Sequence, residues 1–421
     1  MRRAFALRWS HGSIAQLFSG RDNSLGFLRL GLATAVIFSH ASILGYGAKE
    51  YGLGFSGGQV TVGNLSVYGF FVLSGILVTR SGARLPLGRF LWHRALRILP
   101  GFWVCLMLTA FVVAPALYWY VHGSLDGLGG TRGPLGFADG PLGYLRADWA
   151  VATRHYDIAG LMTHARSEGL LHNGAFNGSL WTLRYEVLCY VGVAVLAVTG
   201  ILKRARRAVV LVTALFFWLV VRQASAEPFW GGASHARYLE VQQIPLMGAV
   251  TPQWLIYLGL AFSLGMLIEL YRDRIPVSDP LGVAALAVFF GSLHYGYFFV
   301  VGLPALAYLL VWLAIRLPRP FRRIGARHDY SYGIYIYGFL VQQTLALIGY
   351  TRWGMAVYLA LTLAFTLLLA VASWHLVERP ALRLKDLGRS APPTAPTRRS
   401  IPRPVEPDTL VSAASPHASG S

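Results

Sequence analysis

Apolar runs about 17–25 residues long, each sufficient to cross a bilayer, recur along the 421-residue chain with short polar intervals between them. They fall near 25–45, 60–79, 101–121, 181–202, 207–224, 251–270, 280–296, 297–316, 331–350 and 353–377. The seventh and eighth meet at "SLHYGY", around Tyr295, where almost no loop is left. The pattern predicts an all-α integral membrane protein, a bundle of about ten transmembrane helices.

Composition agrees. The chain is 55% hydrophobic and 13% charged, with a mean hydropathy of +0.50, whereas a soluble domain carries roughly 25% charged residues. A net charge of +19 first suggests nucleic acid, but the basic residues sit in clusters between apolar runs. Arg80, Arg84, Arg89, Arg94 and Arg97 form one cluster, "KRARR" at 203–207 a second, and Arg316, Arg319, Arg322, Arg323 and Arg327 a third. Segment 122–180 instead has four arginines against five acids. These intervals alternate as the positive-inside rule requires, so both termini are expected in the cytoplasm and no nucleic-acid partner is expected. Residues 271–279 say little, because Arg272 and Arg274 face Asp273 and Asp279.

The expected organisation is a basic cytoplasmic arm at 1–22, a membrane domain at 23–387 and a tail at 388–421. The tail is rich in Pro, Ser and Ala, a composition that predicts disorder. Loop 122–180 is a large extracytoplasmic excursion able to contact a substrate. No secretory signal follows the first arginines, and no internal repeat supports an inverted-repeat transporter. The two cysteines, Cys105 and Cys189, lie in apolar segments and read as inert thiols.

The first span holds the most informative stretch, "LRLGLATAVIFSH". Arg29 and His40 are eleven residues apart, which advances a helix by about 1,100° and about 16 Å, so both lie on one face. Ala33, Val36 and Ile37 share that stripe. An arginine inside a span costs about 2.5–3.5 kcal/mol, which makes function the default reading for such a residue. The orientation puts Arg29 near the cytoplasmic mouth and His40 in the outer third. The fourth span opens "NGSLWTLRYEVLCY", placing Glu186 near the depth expected for His40, with Tyr190 one turn on. His40 and Glu186 are therefore expected to pair as base and carboxylate, and Arg184 to be a surface anchor. Gln342 and Gln343 reach the outer half of the ninth span; one is expected to join helices and the other to contact substrate. His294 is expected at the interface, and His375 with Glu378 at the inner end of the last helix. Arg94 and Arg97, three apart in "RFLWHRALRILP", project to one side and suit phosphates.

Taken in order, these features resemble the acyltransferase-3 family of membrane O-acyltransferases. The matching stretches are Arg29-x10-His40, "FFVLSGILV", Arg94-x-x-Arg97, "GSLWTLRYEVLCY", "SYGIYIYGF" and "LVERPALRLK", covering about residues 24 to 386. The resemblance implies transfer of an acyl group, often acetyl, from cytoplasmic acyl-CoA to a hydroxyl of a glycan or glycolipid at the extracytoplasmic face of the bacterial inner membrane. Carried over by position, it makes His40 the essential histidine, Arg29 its partner, Arg94 and Arg97 the donor-binding pair and Glu186 the acidic motif. Tyr190, Gln342 and Gln343 are the substrate candidates, and no metal is implied. Many relatives have His or Trp soon after "SYG", where this chain reads Tyr337-Gly338-Phe339. Some also append a soluble esterase-like domain, where this chain is expected to end in a disordered tail. Direct transfer with His40 as general base and an acyl-histidine intermediate both fit. Rival readings are a proton-coupled transporter or lipid-linked-sugar flippase using His40 and Glu186, and a glycan polymerase.

Overall fold

The computed structural model describes residues 12–18, 22–130, 139–225, 229, 241–244 and 246–387. Positions 1–11 of the basic arm and the whole tail from 388 lie outside the described residues. The chain divides into units Met1–Lys385 and Asp386–Ser421, and of the second only the first two residues are described.

The first unit is built on long helices: α1 Leu25–Tyr46, α2 Val62–Arg84, α3 Leu87–His122, α4 Trp181–Val198, α5 Arg206–Ala224, α6 Pro252–Leu270, α7 Asp279–Tyr295, α8 Leu303–Arg316, α9 Ser331–Leu347 and α10 Met355–Ser373. Eight helical stretches among the described residues are long and apolar enough to cross a membrane, where the sequence predicts about ten. The other two predicted spans correspond to α7 and α9, of 17 residues each. At 1.5 Å per residue they reach about 26 Å, a little under the roughly 30 Å apolar thickness of a bilayer. Only Thr344 of α9 escapes full burial, so protein rather than lipid surrounds that helix. The chain is a multi-pass membrane protein.

Two further features set helix positions. At "SLHYGY" the chain reverses with positive φ at both Gly296 and Tyr297. Gln59 secures this turn: its amide donates to Ser292 O and Leu293 O at 3.1 and 3.0 Å, and its Oε1 accepts from Phe298 N at 2.8 Å. One side chain thus satisfies backbone groups left over where α7 ends and the next helix begins. Between α2 and α6, Gly75 and Gly265 bring the two backbones into contact; a Cβ on either would lie 2.1 Å from a carbonyl oxygen of the other helix. Small residues at such a crossing allow close packing where lipid offers no hydrophobic drive. Arg80 and Glu269 pin the same pair of helices with two hydrogen bonds of 2.9 and 2.8 Å.

The described parts of segment 122–180, residues 122–130 and 139–180, pack on the bundle through two short helices, Pro141–Asp148 and Leu161–Ser167. Asp157 fixes the second, accepting from the backbone N–H groups of Ile158, Met162 and Thr163. Asp148 is buried and accepts from Arg154 N and His155 N; burial pushes its carboxyl up to about 7, while those donors pull the other way. Arg184 corrects the expectation of a surface anchor. It is 3% exposed and donates to Thr153, Tyr156 and Ala249 O, tying loop 151–156 and strand Gly248–Val250 onto α4. His294 is exposed beside Phe55 and Tyr295. Cys105 and Cys189 are both free thiols.

Candidate active site

Two cavities follow one another along α1. The first opens around Arg29 and is lined by α2, α3, α4 and α9. The second surrounds His40.

In the Arg29 cavity, Arg94 and Arg97 lie on the first turns of α3, so the arginine segment is the start of a long helix rather than a separate loop. The residue that organises the cluster is one the sequence reading passed over. Asp329, just before α9, accepts from both Arg29 Nη1 and Arg97 Nη2 on the same oxygen, Oδ2, at 2.7 Å each. Its other oxygen accepts from Ser331 Oγ at 2.5 Å. Burial raises the Asp329 carboxyl, but Arg29 and Arg97 more than offset it and hold the group well below the usual carboxylate range. Arg97 also approaches Glu378 at 3.8 Å, and Glu378 in turn accepts from Ser373 Oγ at 3.0 Å. Arg97 is therefore neutralised within the bundle. Arg94 differs: its side chain makes no ion pair among the described residues, its Nε is buried without a partner, and its guanidinium lies 5.6 Å over the Tyr190 ring. Of the two arginines expected to hold phosphate, only Arg94 is electrostatically uncommitted.

Glu186 belongs to this cavity. Its Oε1 accepts from Tyr190 OH at 2.5 Å and from Ser74 Oγ at 3.1 Å. The expected pairing with His40 is not formed, because the two line different cavities. It is Gly178 and Trp181 that reach the His40 cavity. Five further residues carry α4 about 7.5 Å along and about 140° around, which turns Glu186 down and away.

The carboxylate that shares the His40 cavity is Glu50, from the turn after α1. Glu50 accepts from Ser39 Oγ at 3.2 Å. His40 Nδ1 is buried without a hydrogen-bond partner, and the ring sits edge-on to Phe339 at 5.4 Å between centroids. Phe339 thus occupies the wall that the "SYG" departure concerned. Tyr156, Arg166 and Asn173 complete the rim from segment 122–180, the loop the sequence assigned to substrate contact.

Gln342 and Gln343 line neither cavity. Gln342 donates to Ile37 O at 2.9 Å, joining α9 to α1. Gln343 donates to Asn173 O and Ala175 O at 2.6 and 2.8 Å, holding the strip that walls the His40 cavity. Both have the joining role expected of one, and the substrate contact expected of the other has no counterpart in either placement. No group of three or more His, Cys, Asp or Glu able to hold a metal occurs among the described residues.

Comparison with known proteins places this arrangement. The acyltransferase-3 family pattern, described as an acyltransferase domain, matches residues 22–375. An O-acetyl transferase of Shigella phage Sf6 is 29% identical over 382 residues, covering 88% of this chain and 98% of that protein. Nodulation protein 10 of Rhizobium leguminosarum bv. viciae is 29% identical over 391 residues, covering 87% of this chain and 95% of that protein. No solved structure matches the chain.

Proposed function

Since the chain belongs to the acyltransferase-3 family and is an acyltransferase of groups other than aminoacyl, we propose that it is a membrane O-acyltransferase taking an acyl group from acyl-CoA to a hydroxyl of a glycan or glycolipid. Acetyl is the favoured group, in keeping with the relative named an O-acetyl transferase. The observation that carries the reading is the division of chemistry along α1: an uncommitted guanidinium, Arg94, at one end, and an imidazole with a neighbouring carboxylate, His40 and Glu50, at the other.

Arg94 is the group to receive a CoA phosphate, with Arg29 and Arg97 held beside it by Asp329. His40 takes the proton of the acceptor hydroxyl as that oxygen attacks the thioester carbonyl. The C–S bond then breaks, the thiolate takes up a proton, and the ester leaves with the acceptor. Glu50, in the same cavity, is the carboxylate to stabilise the imidazolium that forms, the part first given to Glu186. Attack by His40 itself, giving an acyl-histidine, is the rival route. The positive-inside pattern supports an Arg94 end in the cytoplasm and a His40 end at the extracytoplasmic face, with the bacterial inner membrane as the proposed location.

The test is thiol release from acetyl-CoA by the purified protein with extracted host glycans, beside His40→Ala. Release that needs both His40 and a glycan supports the reading, and an ester found on the glycan identifies the acceptor. His40→Ala with wild-type activity removes the base assignment. Solute movement across liposomes with no thiol release transfers the case to transport.

A further inference from the structure

Residues lining the two cavities are close neighbours along α4 and α9. On α4, Trp181 faces the His40 cavity while its neighbour Thr182 faces the Arg29 cavity. On α9 the corresponding pair is Phe339 and Tyr335, one turn apart. Tyr335 closes the gap: its OH donates to Ser179 O at 3.0 Å and accepts from Thr182 Oγ1 at 2.5 Å. Its ring meets Phe70 of α2 edge-on at 5.8 Å. Three helices and the turn before α4 converge on a single buried phenol.

This placement matters because Arg29 and His40 stand about 16 Å apart along α1. A donor whose phosphates rest at Arg94 brings its thioester to His40 only by passing the Tyr335 layer. We propose that Tyr335, held by Thr182 and Ser179, is the seal through which the acyl group is admitted to His40, and that it limits the size of that group. The inference rests on the acyl-transfer reading. The seal is of a kind that opens at small expense of structure: a phenol turns on two side-chain torsions, and its two hydrogen bonds lie on α4 and the turn before it, off its own helix. Closed, it keeps water of the His40 cavity from the thioester. With the seal lost, water adds to the thioester carbonyl, the C–S bond breaks, and carboxylate, free thiol and a proton appear without any acceptor.

Steady-state thiol release with and without glycan, from acetyl-, butanoyl- and hexanoyl-CoA, tests this in Tyr335→Phe, Thr182→Val and Tyr335→Ala. Tyr335→Phe and Thr182→Val keep the layer filled but remove hydrogen bonds, and acceptor-independent release is expected to rise about tenfold. In Tyr335→Ala it rises further, and the hexanoyl-to-acetyl rate ratio increases about tenfold as well. If Tyr335→Ala does not insert, the two conservative variants decide. A wild type that transfers, with variants that neither leak nor change the ratio, overturns the seal alone. A wild type that releases no thiol from any acyl-CoA overturns the acyl-transfer reading itself.

Discussion

Two carboxylates are candidates for the partner of His40, Glu186 from the sequence and Glu50 from the structure, and their positions assign them different work. Glu50 shares its cavity, whereas Glu186 is two hydroxyl contacts deep in the Arg29 cavity. Glu50→Gln is expected to lower kcat about tenfold or more with the KM for acyl-CoA unchanged, since the imidazolium loses its neighbour. Glu186→Gln should act chiefly on the KM for acyl-CoA, since that group faces the arginines proposed to bind the donor. Steady-state kinetics of the two variants separate them, and the opposite pattern would return Glu186 to His40. Asp329 carries a second expectation. Asp329→Asn leaves Arg29 and Arg97 without their shared anion, so thermal unfolding in detergent should begin at lower temperature. The sign with pH follows from its lowered carboxyl. A depressed folded-state value contributes stability above the unfolded value, about 3.9, and loses it as pH falls toward the folded one. The gap in Tm between wild type and Asp329→Asn should thus be constant from about pH 8 to 5 and close below about pH 4. A gap that closes between pH 6 and 8 instead would show that another group sets it.

At the scale of elements, the helices were legible and their depths were not. Period and length place α1 through α10 near the expected runs, because an apolar stretch in a bilayer has one solution for its backbone. The Arg29–His40 face was legible for the same reason, as both belong to one rigid helix. The Glu186 pairing failed although α4 begins where expected, at Trp181: which face of α4 meets α1 is set by helix packing, and Trp181 rather than Glu186 turns to the His40 cavity. Asp329 and Glu50 were missed because each lies in a connection beyond a helix end, where periodicity carries no signal; their positions just before "SYG" and ten residues after His40 were the available clues. The α2–α6 crossing yields a prediction of its own. Gly75→Ala puts a methyl 2.1 Å from Phe262 O, and backbone cannot yield as a side chain does. The helices must part, and overpacking of this kind costs about 1–3 kcal/mol, so Tm in detergent should fall while an alanine at exposed, open Gly88 leaves it unchanged. Equal Tm values for the two variants would mean that the crossing relaxes freely.

For the whole molecule, the consequence of the proposed division, donor at the Arg29 cavity and acceptor at the His40 cavity, is direction. An acyl group that enters beside Arg94 and leaves beside His40 moves along α1, and which compartment supplies the donor depends on which end faces the cytoplasm. The charge pattern predicts "KRARR" at 203–207 inside and segment 122–180 outside. Two exposed positions report on it, Asp126 beyond α3 and Arg204 between α4 and α5. With Cys105 and Cys189 replaced by alanine, Asp126→Cys should react with a membrane-impermeant maleimide in cells whose inner membrane is intact. Arg204→Cys should react only after that membrane is permeabilised. The reverse labelling would place His40 on the cytoplasmic side, and a cytoplasmic hydroxyl would then be the acceptor. Labelling as expected leaves acyl-CoA, confined to the cytoplasm, able to meet only the Arg94 end, so that transfer to His40 is also transfer across the bilayer.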